Sequence, residues 1–163
     1  MKFNAILSAV ALTIGAVSIA HAYDPKATIA DLDARLAKIG APKVDGTEKV
    51  ADKMVPALFF GERKINNNYD VVDAVRKAHS ATATVFVKDG DEFVRISTNV
   101  LTPEGKRGIG TQLARNKAYE AVSKGEQYCG PIDVLGTAFD ACYNPIKDGA
   151  GKIIGVSYIG HKK

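Results

Sequence analysis

Cys129 and Cys142 stand at equal distances on either side of Leu135-Gly136, and no other feature constrains the fold of this chain as tightly. A hairpin turning on Leu135-Gly136 pairs Val134 with Thr137 and, counting outward, Cys129 with Cys142. That pair falls on a non-hydrogen-bonded position, where Cα atoms approach to about 4.5 Å, within reach of a disulfide. Pro131 falls on the same type of position, where its missing N–H costs this ladder nothing. A four-residue loop keeps the pairing and an odd loop breaks it; Leu-Gly is not an ideal two-residue turn. The alternative, a reactive or metal-binding thiol pair, has neither a Cys-x-x-Cys spacing nor a nearby histidine to support it. The expected disulfide closes a short loop, adds ~2–3 kcal/mol and fixes the register.

A disulfide needs an oxidising compartment, and the N-terminus supplies the address. Lys2 precedes an uncharged, mostly apolar run from Ala5 to Ile19, and Ala20-His21-Ala22 offers small residues to a signal peptidase. Residues 1–22 are expected to be a Sec-type signal peptide cut after Ala22, leaving 23–163 as one domain. As a membrane anchor the run is near the lower limit of length. No second long apolar run follows, so the mature chain should have no membrane span and should be periplasmic or secreted. No cysteine follows the cut, which argues against a lipoprotein. At 163 residues the chain suits a single core, and its 25% charged residues exclude wholesale disorder. A net charge of +4 without a Lys/Arg block argues against a nucleic-acid partner.

Ile29, Leu32, Leu36 and Ile39 recur at helical spacing up to Gly40-Ala41-Pro42, predicting an amphipathic first helix. Residues 43–53 are polar and carry no clear period, and Met54 to Phe60 is a short apolar stretch. Asn66-Asn67-Asn68 can cap a helix bearing Val71, Val72, Val75 and Ala78. Strands are predicted over 82–88 and 92–98, around Asp89-Gly90. A mostly helical stretch follows over 112–124, then strands over 127–134, 137–146 and 152–159. Helices grouped before about five antiparallel strands give the α+β class.

The same alternation sorts side chains between faces. In the cysteine hairpin Tyr128 opposes Tyr143 and Ile132 opposes Phe139, with Pro145 and Lys147 continuing that face. With Asp89-Gly90 as a two-residue turn, Phe86 faces Phe93, Thr84 faces Arg95, and Ser97 lies alongside. Val85, Val87, Val94 and Ile96 take the other face and read as core. One face thus gathers aromatic rings with Arg95 and Lys147, the composition that holds small organic anions, and arginine can grip a carboxylate with two parallel hydrogen bonds. The plainer reading is that the rings are core and Arg95 reaches out to a surface ion pair.

Ala83-Thr84-Val85-Phe86-Val87-Lys88-Asp89-Gly90-Asp91-Glu92-Phe93-Val94-Arg95-Ile96-Ser97-Thr98-Asn99-Val100 resembles the single Cache sensor domains of bacterial chemoreceptors. So do Glu104 to Thr111, Tyr128-Cys129-Gly130 with Asp133-Val134-Leu135-Gly136, Tyr143 to Asp148, and Gly151 to Gly155. The resemblance covers most of the chain from about Ala57 to Gly160 and is specific in combination. It implies a PAS-like extracytoplasmic domain: a long N-terminal helix behind a central antiparallel sheet of about five strands, with a pocket on the other face. Such domains bind small metabolites non-covalently, often short carboxylates or amino acids. The matching pocket candidates are Arg95, Ser97, Thr111, Tyr128, Phe139, Tyr143 and Lys147. Family members usually sit between transmembrane helices and feed a signalling domain. Here a cleavable signal stands in place of the first helix and the sequence runs out at Gly160-His161-Lys162-Lys163. The expectation is a solo binding domain acting through a partner, such as a membrane sensor or chemoreceptor.

An enzyme needs a reactive constellation, and the pattern offers none: no His-x-x-His, nucleophile elbow or P-loop, and nothing that calls for a metal or cofactor. Gly108-Ile109-Gly110 lacks the third glycine of a dinucleotide fingerprint and reads as a pocket-side loop. His79 closes a helix, as a C-terminal cap does, and His161 lies in the tail. The remaining alternative is an exported interaction module that uses the aromatic sheet face for protein contact.

Overall fold

The computed structural model describes residues 23–163; the expected signal peptide lies outside the described residues. Helix α1 (Pro25–Ile39) starts where Asp24 caps it, its carboxylate accepting from the N–H groups of Lys26 and Ala27 at 2.9 and 3.1 Å. It ends at Gly40, whose φ of 152° and close approach to the Gly61 backbone leave no room for a side chain. Its Ile29, Leu32 and Leu36 form the buried stripe that the helical spacing predicts.

Strands β1 (Pro42–Val50), β2 (Lys53–Phe60) and β3 (Arg63–Lys64) make a small antiparallel sheet in that order. The sequence gives little sign of β1, because most of its side chains are exposed on both faces and it carries a bulge between Val44 and Thr47. Buried Asn66 continues the small sheet with a side chain: its Oδ1 accepts from Leu58 N–H at 2.8 Å and its Nδ2 donates to the Pro56 carbonyl at 3.1 Å. Helix α2 (Asp70–His79) follows, with Asn68 Oδ1 accepting from Asp70 N–H. Its closing His79 does not cap it. The imidazole Nε2 lies 2.9 Å from Asp31 Oδ2 on α1, and Ser80, in the left-handed region, forms the cap.

The main sheet contains β4 (Thr82–Asp89), β5 (Glu92–Thr98), β6 (Tyr128–Val134), β7 (Thr137–Lys147) and β8 (Ile153–Lys162). Its spatial order is β5-β4-β8-β7-β6, antiparallel throughout. The α+β class with an N-terminal helix on a five-stranded antiparallel sheet is therefore present. Strand β8 runs further than its sequence pattern suggests. It carries His161 opposite Asp140, and the imidazole stacks on Tyr23.

The cysteine hairpin has the expected register from Tyr128↔Tyr143 to Val134↔Thr137, and Cys129–Cys142 is a disulfide with Cα atoms 4.2 Å apart. Leu135 and Gly136 both take positive φ, 51° and 82°, as a type I′ turn demands. Asp133 Oδ1 accepts from Gly136 N–H and holds the turn.

The first hairpin corrects the expectation. Its turn residues are Gly90 and Asp91, so Asp89 pairs with Glu92, Lys88 with Phe93 and Phe86 with Arg95. Gly90, with φ 59°, takes the first central position, where a type II′ turn requires glycine. A bulge then follows, and beyond it Val85 pairs with Ser97 and Thr84 with Thr98. The extra residue reverses the alternation. Ser97 consequently leaves the face of Arg95 and donates from its Oγ to the Asn68 carbonyl at 2.6 Å on the other side.

Helices α1 and α2 pack on one face of this sheet, where Val85, Val87, Val94, Ile96, Cys142 and Ile159 join the core. The other face packs under α3 (Lys117–Ser123) and the segment that leads to it. Only 117–123 of the expected helical stretch 112–124 is helical. Residues just before it run along the outer edge of β5, with Arg95 N–H donating to Thr111, Gly110 N–H to Arg95 and Leu113 N–H to Phe93 carbonyls. Gly108-Ile109-Gly110 belongs to this edge-covering segment.

Candidate functional site

The α3 face gathers Phe86, Phe93, Phe139, Tyr143 and Tyr158, each no more than 5% exposed. Tyr143 and Tyr158 are direct cross-strand partners with ring centroids 4.8 Å apart, and Tyr128 stands 6.3 Å from Tyr143. Two of these rings lie flat along their own strands. A Cβ at Gly160 would come within 2.2 Å of the Tyr158 phenolic oxygen, and one at Gly130 within 3.0 Å of that of Tyr128. Burial pushes the phenols of Tyr143 and Tyr158 well above the usual tyrosine range, and the nearby Arg95 charge only partly opposes this. Tyr158 also shares a hydrogen bond with Thr82 Oγ1 at 3.2 Å.

Arg95 sits within this aromatic wall, 3% exposed, with its guanidinium 4.8 Å from the centroid of the Phe86 ring. Nη1 donates to Thr111 Oγ1 at 2.9 Å and to the Gln112 carbonyl at 3.0 Å. Its Nε, equally buried, has no hydrogen-bond partner, and among the described residues no carboxylate pairs with the guanidinium. Burial pulls its pKa below the ordinary arginine value. A buried cation without a counter-ion is costly, so the arrangement is unsatisfied in itself. The surface ion pair of the plainer reading is absent among the described residues.

The candidates do not all converge. Thr111 touches Arg95 directly and donates its own hydroxyl hydrogen to the Gly108 carbonyl at 2.6 Å. Tyr143 belongs to the same wall. Phe139 lines a cavity of about 360 Å³ at one end of the face, with Thr82, Asn99, Arg76 and Lys162. Tyr128 lines another of about 380 Å³ with Asn116 and Lys117, its hydroxyl donating to the Pro131 carbonyl. Arg95 lines neither. Lys147 is exposed at the sheet margin, its ammonium beside Gly125 at the end of α3, and Ser97 lies on the opposite face. Sequence reasoning missed Tyr158 as part of the wall. Alternation within β8 could have assigned it a face, but placing it beside Tyr143 needs the β7–β8 register.

A family model, the Cache 3/Cache 2 fusion domain, matches residues 28–163. Among solved structures, the sensor domain of DcuS from E. coli is 25% identical, with a TM-score of 0.40. That match covers 55% of this chain and 62% of the other. No curated protein matches. No helix among the described residues is long and apolar enough to cross a membrane.

Proposed function

The chain belongs to the Cache 3/Cache 2 fusion domain family, and on that premise we propose that it binds a small organic anion at Arg95 on the α3 face. Cache domains are sensor domains that typically sense small molecules outside the cytoplasm. The observation that carries the reading is the buried, unneutralised Arg95 with an unused Nε donor. A carboxylate supplies both what the guanidinium lacks, a negative charge and an acceptor for Nε. The ligand class is a short carboxylate or an amino acid. Arg95 is buried and lines neither cavity described above, so binding requires the aromatic wall around it to open, and the ligand's apolar part then lies against those rings. The alternative, protein contact through the aromatic face, has little exposed surface to use, because the rings are buried inside the domain.

Export after cleavage at Ala22, with 23–163 as the working domain in the periplasm or medium and a membrane sensor or chemoreceptor as partner, completes the proposal. A thermal-shift screen of residues 23–163 with short carboxylates and amino acids tests the binding step. One chemical class should raise the melting temperature of the wild type and leave Arg95→Ala unmoved. A shift that survives in the variant, or no shift from any compound, refutes the assignment. N-terminal sequencing of the exported product should start at Tyr23; any other start refutes the cleavage site.

A further inference from the structure

The helix side of the sheet holds a second charge without a counter-ion, this one half-buried. Asp33 projects from α1 onto the sheet, where Ser157 Oγ donates to its Oδ1 at 2.5 Å and Asn144 Nδ2 to its Oδ2 at 2.6 Å. Both donors are neutral, and among the described residues no lysine, arginine or histidine pairs with this carboxylate. Burial pushes the Asp33 carboxyl pKa up, and the two hydrogen bonds offset this only in part.

Asp33 also forms part of the wall of a cavity of about 360 Å³ beside the C-terminal half of α1. The neighbouring walls are mostly apolar, from Leu36, Ala37, Phe60, Pro145 and Ile146. Lys147 reaches this cavity too, but its ammonium is turned toward Gly125 at the end of α3 and makes no ion pair with Asp33. A carboxylate at the edge of an apolar cavity selects a ligand that combines a positive charge with hydrocarbon. Each Asp33 oxygen has a further lone pair to accept a hydrogen bond.

We propose that this cavity binds a small alkylammonium ion, its ammonium donating to Asp33 and its alkyl chain lying against Leu36, Phe60 and Ile146. The site is on the opposite side of the sheet from Arg95 and does not depend on anion binding there.

n-Butylammonium chloride is the probe, with n-butanol as its uncharged counterpart, read by thermal shift on residues 23–163 at pH 7.5. At ten times its dissociation constant the amine should raise the melting temperature by about 4 °C, and n-butanol should not. Asp33→Asn should abolish the amine shift. So should Ala37→Trp, which fills the cavity and leaves the carboxylate in place, and which carries the test if Asp33→Asn does not fold. Arg95→Ala should retain the shift whatever becomes of carboxylate binding. The proposal is overturned by an equal shift with n-butanol, by no shift with the wild type, by a shift that persists in Asp33→Asn or Ala37→Trp, or by one lost in Arg95→Ala.

Discussion

Replacing Arg95 by methionine separates a binding arginine from a structural one by the size of its effect on stability. The change keeps a long, flexible side chain against Phe86 and removes the charge. The variant loses two hydrogen bonds from a charged donor, to Thr111 and Gln112, worth about 1.5–3 kcal/mol each. It also loses the contact over Phe86 at 4.8 Å, worth ~1 kcal/mol. Against this it gains relief from burying an unneutralised cation, several kcal/mol by itself. Removing the orphaned Nε returns about 1–3 kcal/mol more. The terms nearly cancel, leaving the ligand-free variant within about 2 kcal/mol of the wild type. Urea denaturation without ligand measures this directly, and the melting temperature should shift by no more than about 6 °C. Binding of the carboxylate found by screening should vanish in the same variant. A loss of roughly 3 kcal/mol or more, the cost of breaking a buried pair that the fold itself needs, would refute the reasoning.

Replacing both Cys129 and Cys142 by alanine should cost about 3 kcal/mol, from the length of the closed loop, and a thiol titration of denatured, unreduced wild type should find no free thiol. A Cβ at Gly155 would lie 2.4 Å from the Phe86 carbonyl oxygen, so Gly155→Ala should destabilise by about 2–3 kcal/mol or more, measured by urea denaturation; a neutral result would contradict the β4–β8 register. Burial holds the His161 imidazole below its ordinary pKa, against a hydrogen bond to the His79 carbonyl. Its folded pKa is thus below its unfolded one, so this contribution is present above pH 6.5 and is lost as pH falls through the folded value. Denaturation at pH 7.5 and pH 5 should show wild type losing more stability than His161→Gln; equal losses would remove His161 as the cause.

What the sequence by itself determined is local: turn chemistry, strand alternation and helix stripes. The cysteine hairpin was legible residue by residue, because equal spacing about Leu135-Gly136 leaves one register that brings both thiols together. The stripe of Ile29, Leu32 and Leu36 was legible because a helix shows its buried face in its own period. The faces of Phe86 and Arg95 follow from alternation within each strand, which the one-residue displacement at the turn leaves intact. The face of Ser97 was not legible, because the bulge before it is a property of the strand pair and leaves no mark in the composition of either strand. Strand β1 was hidden for a related reason: it forms by pairing with β2, with little burial of its own.

The tertiary structure decided what the charges mean. Arg95 and Asp33 are ordinary residues in an alternating strand and an amphipathic helix, and nothing beside them in the sequence says whether an opposite charge will reach them. The strand order β5-β4-β8-β7-β6 sets Tyr158 beside Tyr143 near the guanidinium, and brings Ser157 and Asn144 together on the carboxylate. Desolvation depends on every group packed around a charge. Only the assembled sheet, with its helices in place, leaves a buried cation on one face and a half-buried anion on the other, each without a counter-ion.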